Sequence, residues 1–304
     1  MVNFSRIGWM IPALLGLALS GLKAESGPIR SGVAEPPKRP AEEDQPPSLK
    51  DASPQKDWME GYYLNPQPNR LPEEVKDWSE QGLLQREGTR DVLIGFLSQV
   101  LRQNRPKIKE WDNQLAGLPP DDRRIWRTGV WYSRTTEGDE IIKEALGGKL
   151  TNEDLAPKLL ELPLDRPTTL DMLWGFFFAT GSESPIRRLV EAFRFEDVSE
   201  PPPGAKIPQG YVPLFTQLPE MAAWSITSMA AEHPKVAEFC VHFYESPKES
   251  QLSETESRWL RTKVLPTIDP KKFPAPTESE SPKVEPVEKA GAAVPRPVTE
   301  PAVP

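Results

Sequence analysis

Proline constrains this chain more than any other residue. It occupies 36 of 304 positions, more than twice its usual share of about 5%. Each proline fixes φ, removes a backbone N–H and pushes the residue before it out of the helical state. A central strand or a long unbroken helix is therefore excluded through most of the chain. Short helices that open on proline remain available, because the first helical turn needs no N–H donor. The prolines are densest at the ends, with seven in residues 25–54, including Pro36-Pro37 and Pro46-Pro47, and nine in residues 270–304. Both stretches lack aromatics apart from Phe273 and are poor in large aliphatic side chains. They cannot bury enough apolar surface to offset chain entropy and are expected to stay extended and mobile. This predicts a linker over 25–52, a folded region over 53–269 and a tail over 270–304. Every Trp except Trp9 falls inside the folded region.

The first 24 residues read as a secretory signal peptide. Arg6 supplies a positive start, Ile7 to Leu22 carries no charge, and small residues allow cleavage after Ser20 or Ala24. Sixteen apolar residues broken by Pro12 are short against the roughly 20 of a spanning helix. The expectation is a periplasmic or secreted protein with no stable membrane span after cleavage. The net charge is −8, and loss of Arg6 and Lys23 takes it to −8 − 2 = −10. That balance argues against nonspecific binding to nucleic acid or an anionic membrane. Arg123-Arg124 and Arg187-Arg188 read as solvated helix faces.

Helical punctuation runs through the folded region. Ser53-Pro54 opens a helix through Trp58 and Tyr62. Leu71-Pro72-Glu73-Glu74 opens another that ends at Gly82, with acids in its first turn favoured by the helix dipole. Thr89 is the expected cap of a helix carrying Val92, Leu93, Phe96, Leu97, Val100 and Leu101 at helical spacing. Pro106 and Pro120 begin the next two, Thr136 caps a short one closed by Gly147-Gly148, and Thr168 or Thr169 caps one ending at Gly181. Ser184-Pro185, Pro219 and Pro234 open three more. Ser253-x-x-Glu256 is a capping box, and Pro266 is expected to end the helix that it starts. Residues 197–212 read as a loop and a possible sub-domain boundary. No alternating apolar run is joined by Asn-Gly or Asp-Gly, so no hairpin of strands is expected.

Three segments share a helix, turn, proline, helix order: Phe96 to Trp111, Phe178 to Leu189, and Ser225 to Phe239. The first and last place Pro-Lys at the turn (Pro106-Lys107, Pro234-Lys235) and an aromatic shortly after it (Trp111, Phe239). One such pair cannot bury its apolar stripe alone, whereas stacked pairs can. Their look resembles tetratricopeptide-like or HEAT-like helical hairpins over residues 90–247, although the diagnostic positions of those repeats do not recur. The expected fold is all-α: an irregular α/α helical-hairpin array, either a superhelix or a multi-helix bundle, with disordered termini.

Chemistry is sparse in the sequence. Cys240 is the one cysteine, so no internal disulfide forms, and its Phe239-Cys240-Val241 setting reads as core. His233 and His242 are too few for a Cys/His metal site, and no nucleophile elbow, phosphate loop or dinucleotide loop occurs. No cofactor, metal or catalytic set is expected. Acid pairs such as Glu73-Glu74 and Asp121-Asp122 sit at helix starts, where the dipole accounts for them. An acid pair acting on glycan stands as the enzymatic alternative. The favoured expectation is a non-catalytic, protein-binding scaffold of the cell envelope. Tyr62 and Tyr63, beside the Asn65-Pro66 turn, are the candidate partner-binding residues.

Overall fold

The structure is a computed structural model that describes residues 58–148, 151, 154–198 and 217–275. The signal segment, the 25–52 linker, most of the 197–212 loop and the tail beyond residue 275 lie outside the described residues. Among those described, every regular element is helical. In chain order they are α1 (Leu71–Glu80), α2 (Thr89–Gln103), α3 (Ile108–Gln114), α4 (Pro120–Ser133), α5 (Thr136–Ala145), α6 (Pro167–Thr180), α7 (Glu183–Val190), α8 (Leu218–Glu232), α9 (Pro234–Glu245), α10 (Glu254–Trp259) and α11 (Leu265–Ile268). The three expected hairpins are α2–α3, α6–α7 and α8–α9, so the all-α hairpin architecture is the observed one.

Proline sets most of the starts. It occupies the first or second position of α1, α4, α6, α8, α9 and α11. Glycine sets the stops that need a left-handed residue, at Gly181 after α6 (φ 59°) and at Gly147 and Gly148 beyond α5 (φ 68° and 88°). Ser253 and Glu256 form the full capping box of α10. Several caps differ from expectation. Gly88, with φ 79°, caps α2 and leaves Thr89 inside the first turn. The cap of α5 is Thr135, whose hydroxyl accepts from the Gly138 N–H, so Thr136 is already helical. The cap of α6 is Arg166, and Thr169 instead donates to the Pro163 carbonyl at 3.0 Å. Residues 58–64 form successive turns, with Tyr62 N–H donating to the Met59 carbonyl and Leu64 N–H to that of Gly61. Pro266 does not end the last helix. A π-helical turn over Leu260–Val264 carries the chain into α11, with Pro266 in that helix's first turn, where its missing N–H costs little.

The core is organised around α2. Every residue from Asp91 to Leu101 is buried, because α6 packs on one side of this helix and α4 on another. Two glycines let α2 and α6 meet backbone to backbone. A methyl group at Gly95 would lie 2.1 Å from the Met172 carbonyl oxygen, and one at Gly175 would lie 1.9 Å from that of Val92. No other residue fits either position at this separation. The second half of the body, α7 to α11, adds a buried layer of Ile186, Leu189, Phe193, Ile226, Phe243, Leu260 and Val264. Phe273, placed by composition in the tail, is 7% exposed and sits edge-on to Tyr244.

Candidate functional site

The most unusual chemistry in the body is a pair of buried carboxyls where α2, α4 and α6 converge. Asp91 lies in the first turn of α2 and Asp171 in the middle of α6; they are 8% and 4% exposed. Neither Oδ2 has a hydrogen-bond donor. Arg90 Nη2 stands 3.5 Å from Asp91 Oδ2, an ion-pair contact that does not make a hydrogen bond. Burial raises the pKa of Asp171 well above the usual carboxyl range, and the charge on nearby Asp91 raises it further. Burial also raises Asp91, with the Arg90 charge opposing. On α4, the half-buried Tyr132 phenol is raised by burial and by the same Asp91 charge. The Asp91 charge thus adds to burial in disfavouring the ionised form of Asp171. This arrangement can hold a proton and can donate one. Among the described residues no group of three or more His, Cys, Asp or Glu stands ready to hold a metal.

The tyrosines marked as partner-binding lie elsewhere. Tyr62 is 1% exposed and packs edge-on against Trp58 and Phe96 at centroid distances of 5.3 and 5.2 Å. Its ring is core, because the turns after Trp58 fold it inward against α2. Tyr63 is half-buried: its N–H donates to the Phe178 carbonyl, and its hydroxyl meets His233 Nδ1 at 3.2 Å. Lys235 lies 5.7 Å above the same ring and donates to the Gly181 carbonyl at 3.1 Å. Tyr63 thus ties the 58–65 arm to the α6–α7 and α8–α9 turns. His233 supplies no side-chain cap to α9; it is 1% exposed, with Phe177 and Phe178 rings at 5.6 and 5.4 Å. Cys240 is fully buried, and burial pushes its thiol up to about 12.

Of the two basic pairs, Arg124 is exposed as expected and meets exposed Asp121 at 3.2 Å, whereas Arg123, Arg187 and Arg188 turn inward. Arg123 bonds to both the carboxylate and the carbonyl of Asp112, whose other oxygen accepts from the Trp126 indole at 2.8 Å. Arg187 and Arg188 are half-buried and both meet Glu191. Asp122 is 6% exposed and accepts from Ser79 and from Gln85, so it joins α4 to α1 and to the turn after it.

The large aromatic that does face outward is Trp224 on α8, 50% exposed. The helix buries Leu218, Ala222, Ile226 and Met229. Trp224 falls on the opposite side, beside the half-buried Met221 and Thr227. In the sequence its spacing from Met221, Ile226 and Met229 reads as core packing, and the structure instead turns it to solvent.

The fold and site together define a class: an all-α array of helical hairpins with a sealed acid pair and an outward tryptophan. No family model, no curated protein and no solved structure matches the chain.

Proposed function

We propose that this chain is an exported, non-catalytic helical scaffold of the bacterial cell envelope. It binds another envelope or secreted protein through its helical surface, with the Pro/Glu-rich tail as a spacer. The observation that carries this reading is Trp224. A half-exposed tryptophan on the outer face of a well-packed helix is costly to leave in water and typical of an interface anchor. Export is supported by the layout of residues 1–24. Among the described residues no helix is long and apolar enough to cross a membrane. The cysteine and one of the two histidines are spent on packing: Cys240 and His233 are buried, whereas His242 is exposed on α9.

The native protein in an envelope extract should elute with one partner at fixed stoichiometry, and Trp224→Ala should release it without lowering thermal stability. Elution as a free monomer from freshly prepared envelopes would count against the scaffold.

The acid pair favours a second reading, a helical enzyme acting on glycan. Asp171, its pKa raised by burial and by the Asp91 charge, has the character of a general acid next to a carboxylate. Both groups, however, are enclosed by helix packing rather than set in a groove. Release of reducing ends from envelope glycan by the purified protein, abolished in Asp171→Asn, would establish this reading in place of the first.

A further inference from the structure

A cavity of about 470 Å³ opens between α7, the turn around Ser250 and the short 3-10 segment at Leu160; its walls include Glu183, Arg187, Arg188, Glu191 and Glu249. Its volume is within the roughly 300–1,000 Å³ of small-molecule sites. Three donors at this cavity have no acceptor: Arg187 Nη1, Arg188 Nε and Ser250 Oγ. The remaining guanidinium atoms are committed. Arg187 Nε donates to the Ser250 carbonyl at 2.6 Å, and its Nη2 donates to the Gln251 carbonyl at 2.9 Å and to Glu256 at 3.2 Å. Arg188 donates to the Leu162 carbonyl at 2.7 Å and to Glu191. Glu191 is already shared among Arg187, Arg188 and Arg194, and at 3.8 Å it lies beyond hydrogen-bond reach of Arg187 Nη1. Glu256, 2% exposed, is held by Arg187 and Arg194. Arg187 and Arg188 therefore balance Glu191 and Glu256 in the interior, and the exposed Arg194 braces both carboxylates from outside. Negative charge sits at the rim, where Glu183 and Glu249 are exposed.

Three idle donors, two of them on guanidiniums, call for an acceptor, and a carboxylate fits them best. An acidic rim calls for a cation. We propose that this cavity binds a small zwitterion with a free carboxylate and an ammonium group, of amino-acid or dipeptide size. The carboxylate accepts from Ser250 Oγ, Arg188 Nε and Arg187 Nη1, and the ammonium faces Glu183 and Glu249. The three donors lie just under the wall, so loading turns the Ser250 hydroxyl about χ1 and shifts the half-buried guanidiniums toward the ligand. The proposal is independent of the scaffold reading.

The test is calorimetric titration of the full mature protein with glycine and with glycylglycine, alongside acetate and ethylammonium, which carry one charge each. Saturable binding of a zwitterion is expected, with each single-charge probe at least about tenfold weaker. The glycine and glycylglycine arms separate an amino-acid site from a dipeptide site. Ser250→Ala and Glu249→Gln remove side chains that support no described contact, so both should fold as the parent does and weaken binding by about fivefold. The proposal is overturned if neither zwitterion saturates up to ~20 mM, if acetate binds as tightly, or if both variants bind unchanged.

Discussion

Replacing Asp171 by asparagine should be more favourable to stability at neutral pH than in acid. Asp171 is 4% exposed, has no donor at Oδ2 and lies near the Asp91 charge. Its folded pKa is raised, so the folded state holds a proton that the unfolded state releases near pH 4. Stability from this group is fully present below that pH. It falls as pH climbs toward the folded value, by up to about 1.4 kcal/mol per pH unit. Asparagine keeps the shape and loses the titration. Its own amide remains buried, which costs some stability at every pH, so the informative quantity is a double difference. The stability of Asp171→Asn minus that of the parent should be larger at pH 7.5 than at pH 4.5. Urea unfolding followed by tryptophan fluorescence at the two pH values measures it. The charges around the site, Asp91, Arg90, Glu87 and Tyr132, are common to both proteins, so their direct contributions largely cancel. A double difference of zero, or of opposite sign, would refute a protonated Asp171 in the folded protein.

Other consequences are equally direct. Gly95→Ala and Gly175→Ala place a methyl about 2 Å from a carbonyl oxygen of the facing helix and should each cost about 3 kcal/mol in urea unfolding; a loss below about 1 kcal/mol would mean that α2 and α6 are not in backbone contact. Tyr62→Ala should lower stability by about 3 to 5 kcal/mol, whereas Trp224→Ala, at 50% exposure, should change it by less than about 0.5 kcal/mol. Cys240, buried and raised to about 12, should resist thiol reagents at pH 8 in the native protein and react at once in denaturant; prompt native labelling would contradict its burial.

The helices were legible because proline and glycine punctuate them for local reasons. The starts at Pro120, Pro219 and Pro234, the stop at Gly181 and the capping box at Ser253 depend on a few neighbouring residues and little else. The errors arose where tertiary contact outranks local preference. Thr89 has the side chain of a cap, yet Gly88 takes the left-handed turn that brings α2 into the core. Pro266 should have ended its helix, but a π turn widens the backbone just before it. The Asn65-Pro66 turn suggests an exposed ring at Tyr62 or Tyr63, and nothing local reveals that Phe96 of α2 and Phe177 of α6 pack against them. Arg187 and Arg188 look like any solvated pair until the turn at Ser250 and the carbonyl of Leu162 arrive from distant parts of the chain. The acid pair had a signal that went unread. Leu170, Met172, Leu173, Trp174, Phe177 and Phe178 cover every face of α6, so the helix must be enclosed, and the one acid within it must be enclosed too. Asp91 was less visible, because an acid in a first helical turn is ordinarily a dipole partner at the surface.

The central claim is that this helical body works by holding another envelope protein. Crosslinking mass spectrometry on intact envelopes tests it most directly, using the parent, Trp224→Ala and a chain lacking residues 270–304. Crosslinks from one partner should cluster around α8 and be lost in Trp224→Ala. In the truncated chain they should be retained, with altered reach. Crosslinks scattered over many proteins, or a pattern unchanged by Trp224→Ala, would contradict it.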